Sequence, residues 1–292
     1  MSVLPSARIV ILNYNGEALL PECLPSIVKA AQKARFKTTV TLLDNLSQDR
    51  GLDYAAKFPE VEIVKAPENK ILCSYNDYLP QIQDPVVIFL NNDIRVDENF
   101  VDPLVEPFVR DPQTFLAAPR VMSFDGRVTE AARAKAGIRF GLFWCNARYP
   151  GYEKEANQPS DTFSSGFGAV SREKFLALGG YDPRYFPGIY EDVDLCFRAR
   201  KAGYHLYYEP RSVVYHMGQA SFKKAFGARK ISEIAHRNSF LYMWKNYQGM
   251  GFWSQHLFFL PLRLAFAALK GNFALIKGFF AALKIQQTVS HA

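Results

Sequence analysis

The sequence predicts an α/β fold in which a mainly parallel sheet is flanked by helices and followed by a C-terminal helical, membrane-associating extension. Three observations carry this. Short apolar runs rich in β-branched residues alternate with helix-spaced stretches through the first 120 residues. Several of those runs stop on polar side chains, and a polar strand end lies where open α/β sheets bind ligands. The tail from Leu257 to Leu283 is largely apolar, interrupted by cations at regular spacing.

In chain order, Arg8–Leu12 reads as a first strand ending in Asn13-Tyr14-Asn15-Gly16, and Glu17–Ala34 carries helical spacing through Leu20, Leu24, Ile27 and Ala31. Thr39–Leu43 is a second strand closed by Asp44-Asn45-Leu46-Ser47, and Val61–Val64 a short third. Val86–Leu90 is a bare apolar run of the kind a doubly covered parallel strand needs, and it ends on Asn91-Asn92-Asp93. A helix at Phe100–Val109 and a strand at Phe115–Ala118 follow. Right-handed crossovers would put these polar strand ends on one edge. From Arg120 to Ser160 the rhythm is lost among glycines, prolines and aromatics, which predicts an irregular, substrate-facing segment. Order is expected again from Thr162 to Val170, with a helix at Arg172–Leu178. Glu191–Ala202 reads as a helix with acids in its first turn, bases in its last and Gly203 as cap. Tyr204–Tyr208 and Val213–Tyr215 read as short strands, the second leading into His216.

At 292 residues the chain holds one large domain or one and a half, read as a domain over 1–245 and an extension over 246–292. With 49% hydrophobic and 22% charged residues it is an ordinary globular chain, so disorder is not the default. The net charge of +7 is uneven: from Lys201 onward there are 12 Lys/Arg against 2 Asp/Glu, which points the last third at an anionic partner. The four cysteines show neither a C-x-x-C pair nor metal spacing, which implies reduced thiols. The first residues lack an apolar leader core, so no signal peptide is expected.

The strand-end residues suggest a chemistry. A magnesium or manganese ion on a diphosphate needs few protein ligands, because phosphate oxygens and water supply the rest. Asp93 offers one carboxylate, and His216 a second donor that manganese accepts. A satisfied structural histidine is the plainer reading of His216 alone. Asp192, in a helix's first turn, would be kept ionised by the helix end and could take a proton from an attacking hydroxyl; helix capping explains the same acids. Asp44 could accept a hydrogen bond from a nucleobase or a ribose, or simply close an Asx turn. Dinucleotide fingerprints, P-loops and nucleophile elbows do not occur.

Taken in order, these stretches resemble the inverting family 2 glycosyltransferases with a GT-A fold, and within them the bacterial rhamnosyltransferase-like branch. The resemblance rests on Ile9–Gly16, Leu42–Ser47, Phe89–Asp93, Gly166–Val170, Gly179–Asp182, Tyr190–Leu195 with Ala202–Tyr204, and Val214–Gly218. It implies transfer of a hexose such as rhamnose from a UDP-, dTDP- or GDP-sugar. Asp44 and Asn45 would meet the nucleotide, with Asn13, Asn15, Asn69 and Asn92 in the same pocket. Asp93 and His216 would hold the divalent metal, Asp192 would be the general base and Glu191 its neighbour. Two positions depart from the family pattern. Asn91 replaces the first acid of D-x-D, and Ile71 stands where the segment beginning at Asn69 usually has glycine. Arg237-Asn238 resembles the basic stretch after the histidine motif.

In the tail, Arg263, Lys270, Lys277 and Lys284 recur every seven residues. Seven residues turn a helix by roughly 700°, about 20° short of two turns, so one continuous helix would gather these cations in a stripe. That reads as a helix lying in a membrane interface; the alternative is a helical hairpin split at Gly271-Asn272. The basic tail fits what the resemblance implies for the acceptor: a glycan, in polysaccharide, O-antigen (lipopolysaccharide) or cell-wall assembly, on a polyprenyl-diphosphate carrier at the inner, cytoplasmic face of an anionic membrane. Two rival readings are a catalytically silent GT-A protein that binds nucleotide-sugar or glycan, and a nucleotidyltransferase. The second would want a glycine- and base-rich loop where Asn13–Gly16 stands. A nucleic-acid module explains neither the seven-residue spacing nor the apolar helix around it.

Overall fold

The computed structural model describes residues 5–146, 150–152, 167–218 and 220–290. They fall into two compact units, one of Met1–Ala134, Ala147–Tyr181 and Leu195–Gly218, the other of Lys135–Asn146, Asp182–Asp194 and Gln219–Ala292. The strands in chain order are β1 (Ala7–Asn13), β2 (Thr38–Asp44), β3 (Val61–Lys65), β4 (Val86–Asn91), β5 (Ile94–Val96), β6 (Thr114–Ser123), β7 (Thr129–Ala131), β8 (Lys135–Arg139), β9 (Leu142–Asn146), β10 (Gly168–Ser171) and β11 (His205–His216). The helices are α1 (Leu20–Lys33), α2 (Gly51–Ala55), α3 (Ser74–Tyr78), α4 (Val101–Arg110), α5 (Arg172–Ala177), α6 (Glu191–Lys201), α7 (Ala220–Asn246), α8 (Met250–Leu269) and α9 (Phe273–Ser290).

In the first unit a nine-stranded sheet runs β3-β2-β1-β4-β10-β6-β11-β5, with β7 paired to β6. The half from β3 to β4 is parallel, as the apolar runs require. Beyond it the sheet is mixed: β10 is antiparallel to both neighbours, β11 is parallel to β6, and β5 is antiparallel to β11. Two reversals around β10 restore the direction of β4 in β6 and β11. The carboxyl ends of β1, β2, β4 and β11 therefore share one sheet edge. Alternate residues cover the two faces. Ile9, Ile11, Val40, Leu42, Ile88 and Leu90 pack with the apolar sides of α1 and α4. On the opposite face Phe89 stacks on Tyr75 of α3 at 4.1 Å and meets Phe175 of α5 edge-on at 5.5 Å. Burying such a ring is worth roughly 1.5–3 kcal/mol.

Three expectations change here. The segment after Arg120 is ordered through 146: β6 continues to Ser123, β7 pairs with it, and β8–β9 form an antiparallel hairpin turning at Gly141. Gly137 and Gly141, which looked like breakers, belong to this hairpin; 147–149 and 153–166 lie outside the described residues, as does the expected start of order at Thr162. The two short strands expected after Gly203 are one strand, β11, with an irregularity between Glu209 and Val213. There the Glu209 carboxylate receives both the amide (3.1 Å) and the guanidinium (2.7 Å) of Arg211.

The tail is two helices rather than one, which corrects the single cation stripe. Gly271, at φ 67°, follows the C-cap Lys270; its N–H reaches Ala268 O (3.1 Å) and that of Asn272 reaches Ala267 O (2.8 Å). That paired closure terminates a helix, and the left-handed residue in it favours glycine. Arg263 thus belongs to α8 and Lys277 and Lys284 to α9. In this second unit α9 lies on α7 at Gly278, where a Cβ would come within 2.8 Å of Arg237 N. No helix among the described residues is long and apolar enough to cross a membrane. On α8 the inward residues are Phe252, His256 and Ala267, whereas Phe258, Leu262 and Phe266, at four-residue spacing, are exposed together with Leu257 and Leu269.

His256 is buried and saturated. Its Nδ1 lies 2.7 Å from Gly141 O, and Trp244 Nε1–H donates to its Nε2 at 3.1 Å. This fixes a neutral ring with the proton on Nδ1, and burial lowers its pKa accordingly. A second polar knot surrounds Asp194, which is fully buried. Its oxygens accept from Lys245 Nζ (2.8 Å), Asn246 Nδ2 (2.7 Å) and Tyr185 Oη (3.0 Å), and Lys245 also reaches Asp182 (2.7 Å). Burial raises the Asp182 carboxyl, but hydrogen bonds from Arg184 and Lys245 outweigh it and hold it well below the usual carboxylate range.

Candidate active site

At the carboxyl edge of the sheet the loops after β1, β2 and β4 are tied by side chains. Asp44 Oδ1 accepts from Asn13 Nδ2 (2.9 Å) and from the Ser47 hydroxyl, and its Oδ2 accepts from Ser47 N (3.0 Å). Asn13 Oδ1 in turn accepts from Asn92 Nδ2 at 2.9 Å. Asn15 joins the same cluster: its N–H donates to Ser47 Oγ (2.9 Å) and its Oδ1 accepts from Gln48 N (2.8 Å). Gly16 makes room for it, since a Cβ there would stand 2.2 Å from Asn13 Oδ1. Asp44, buried and saturated, is the hub of this scaffold. Asn45 is buried too, with Oδ1 unpartnered and Nδ2 on Ile71 O at 3.3 Å. Asn69 Oδ1 accepts from Ile71 N (3.1 Å), and Ile71 sits at φ 52°. The residue that departs from the family glycine therefore occupies a left-handed conformation that a β-branched side chain rarely takes.

Asp93 and His216 meet next to this cluster. Asp93 is 6% exposed and its Oδ1 has no hydrogen-bond partner; Oδ2 lies 3.5 Å from His216 Nε2, too far for a good hydrogen bond. On the other side of the ring, His216 Nδ1 is 3.1 Å from Glu130 Oε2. Burial lowers the imidazole pKa, but the two carboxylates outweigh it and raise it above its ordinary value. No group of three His, Cys, Asp or Glu able to hold a metal occurs among the described residues. A buried carboxylate with Oδ1 unpartnered and Oδ2 beside an imidazole nitrogen fits a cation that draws its other ligands from a diphosphate and water.

Glu191 and Asp192 open α6 within the second unit. The turn before them is tightly held: Asn238 Nδ2 lies 2.8, 2.7 and 2.7 Å from the carbonyls of Tyr185, Gly188 and Ile189, and Ile189 and Tyr190 sit at φ 73° and 82°. Consecutive left-handed non-glycine residues store strain of the kind found at functional sites. Glu191 is buried with Oε2 unpartnered, and burial plus the charge of Asp192 push its carboxyl up. Asp192 is half-buried; burial raises it as well, against the Val193 N–H that donates to its Oδ1 at 2.8 Å. The sequence suggested that the helix end would keep Asp192 ionised, but desolvation is the larger effect. Cys145 of β9 presents surface to solvent, yet its thiol is pushed up to about 11 by the surrounding protein and by Asp192.

Residues 8–179, more than half of the chain, match the model of glycosyl transferase family 2. The chain belongs to glycosyl transferase family 2. It is 28% identical over 269 residues to N-acetylglucosaminyl-diphospho-decaprenol L-rhamnosyltransferase of Mycobacterium tuberculosis, covering 82% of this chain and 85% of that one. It is 24% identical over 234 residues to a putative polypeptide N-acetylgalactosaminyltransferase 10 of Drosophila melanogaster, covering 75% of this chain but only 37% of the fly protein. Among solved structures it resembles GalNAc-T7 with UDP, GalNAc and Mn2+ (TM-score 0.58, 20% identity, 74% of this chain and 44% of that). It also resembles a mannosyltransferase of Pyrobaculum calidifontis with GDP-Man and Mn2+ (TM-score 0.57, 16% identity, 96% and 74%). The fold is that of the GT-A glycosyltransferases.

For a family 2 chain, the remaining residues singled out in the sequence fall in three kinds of place. Arg237 donates to the carbonyls of Phe186 and Tyr185 and to Asn238 Oδ1 (2.8 Å), so it braces the turn before Glu191. Lys277 is 3.6 Å from Glu233, and Lys270 lies 5.7 Å over the Phe266 ring. Arg263 has its pKa lowered by burial, and Lys284 is exposed on α9. Sequence reasoning missed Glu130, Asp194 and Lys245. Glu130 falls in the segment read as irregular, and Lys245 carries no motif. Asp194 was visible only as a third acid in a helix's first turn.

Proposed function

We propose that this family 2 protein is an inverting glycosyltransferase that moves a hexose, such as rhamnose, from a nucleoside-diphosphate sugar to a glycan on a polyprenyl-diphosphate carrier. The carrying observation is Asp93, buried with Oδ1 unpartnered and Oδ2 3.5 Å from His216 Nε2, on the sheet edge where Asn13, Asp44 and Asn92 lock three loops together. In this reading Asn13, Asn15, Asp44, Asn45, Asn69 and Asn92 shape the nucleotide pocket of a catalytic domain over 1–245. Asp93 and His216 hold a divalent cation, manganese or magnesium, that would offset charge on the departing diphosphate. Asp192 takes the proton of the acceptor hydroxyl as its oxygen attacks the anomeric carbon from the face opposite the leaving group. One displacement inverts that centre, and the raised pKa of Asp192 makes it the stronger base. Support for a lipid-diphosphate acceptor comes from the mycobacterial relative's name. The experiment is a panel of UDP-, dTDP- and GDP-sugars, scored for binding and turnover with and without manganese or magnesium. Metal-dependent turnover of one donor is expected; failure to bind any donor overturns the reading.

The 246–292 extension supplies the membrane part of the proposal. The exposed Leu257, Phe258, Leu262, Phe266 and Leu269 would enter the headgroup boundary of the inner leaflet, with Lys270, Lys277 and Lys284 toward anionic lipid. Co-sedimentation with phosphatidylglycerol vesicles is expected at about 0.1 M salt and to weaken at about 1 M, where the Debye length shrinks to ~3 Å. Substituting Phe258→Ser and Phe266→Ser together should abolish what remains. Equal pelleting of that variant and the parent would sink this part.

A further inference from the structure

We propose that Glu130 is a positioning residue that fixes the tautomer and aim of His216. Its place in the sheet is unusual. Strand β7 pairs with β6 through Val121↔Ala131 and Met122↔Thr129, so two residues of β6 face three of β7 and Glu130 is the one left without a ladder partner. A bulge of this kind re-aims the side chain it carries. Strand β6 lies directly beside β11, with Ser123 opposite His216, so the redirected carboxylate reaches across to the histidine ring. Glu130 Oε2 stands 3.1 Å from Nδ1, and the Phe167 ring packs 5.3 Å from the imidazole centroid.

The consequence is positional. A carboxylate on Nδ1 keeps that nitrogen protonated and leaves the unprotonated Nε2, 3.5 Å from Asp93 Oδ2, with its lone pair available to a cation. Glu130 cannot share a cation with Asp93 through this arrangement, because the imidazole stands between the two carboxylates. It therefore acts through the histidine, as outer carboxylates do at histidine-bound metals. This inference rests on the reading of Asp93 and His216 as the metal pair.

The test is Mn2+ affinity measured by electron paramagnetic resonance on the full chain with UDP or GDP present, together with the ring 15N shifts of His216. His216→Ala is expected to weaken Mn2+ binding, and Glu130→Ala to weaken it about 10–100-fold. Glu130→Gln should retain most of the affinity, because its amide oxygen still accepts from Nδ1–H. Glu130→Ala in a His216→Ala background should cost nothing further. In Glu130→Ala the 15N shifts should show a mixture of tautomers, while the parent and Glu130→Gln show the Nδ1–H form. If His216→Ala leaves affinity unchanged, the metal reading fails and this inference with it. If His216→Ala weakens binding but Glu130→Ala does not, or if the two losses add, the positioning role alone is overturned. Should Glu130→Ala not fold, Glu130→Gln with the wrong tautomer decides against it equally.

Discussion

Asp192→Asn is expected to lower kcat by about 10²–10⁴-fold while leaving donor affinity essentially unchanged. The amide keeps the shape of the side chain and its contact with Val193 N–H, but cannot accept a proton. The loss therefore belongs to the transition state. The parent should also show an acid limb in its rate profile above the ordinary carboxylate range. A base works only unprotonated, so rate rises with pH through the folded-state pKa, which burial has raised. Equilibrium donor binding beside steady-state kinetics across pH decides the matter. An Asp192→Asn protein with near-parent kcat would remove Asp192 as the base.

Lys245→Met is expected to cost about 3–5 kcal/mol of stability at neutral pH. The lysine is the shared partner of Asp182 and Asp194, at 2.7 and 2.8 Å, and its loss removes the cation between two carboxylates, leaving Asp182 to Arg184 and Asp194 to the neutral donors Asn246 and Tyr185. The sign of the pH dependence follows from Asp182. A depressed carboxyl stabilises the fold above its unfolded pKa, and that contribution is lost as pH falls toward the folded value. The gap between parent and variant should thus be widest near neutrality and shrink in acid as Asp182 protonates. Urea denaturation at several pH values reads this directly. A constant gap would mean that packing of the lysine stem, rather than charge, holds the knot.

The parallel half of the sheet was legible because a strand covered on both faces must be apolar throughout, and Val86–Leu90 carries that mark on its surface. The polar residues that stop such strands were legible for the same reason. Strands β10 and β11 were harder, since a short antiparallel insertion and a bulged strand leave no unbroken run. Glu130 could not be found, because a bulge is a property of pairing between two strands and not of either sequence alone. The Asp194–Lys245 contact spans 51 positions and has no local signature. In the tail the seven-residue spacing was real, but spacing describes a helix only while the helix continues, and Gly271 ends it.

The imidazole of His256 also makes one mechanical piece of α8 and the β8–β9 hairpin. Gly141 packs so close that any Cβ would lie 2.5 Å from the His256 backbone, and two hydrogen bonds in a dry pocket pin the ring on both sides. The helix that carries the outward Phe258–Phe266 face is thus tied to the hairpin turn by a close backbone approach and a side-chain hydrogen bond, so a substitution at Gly141 would have to move α8 as well.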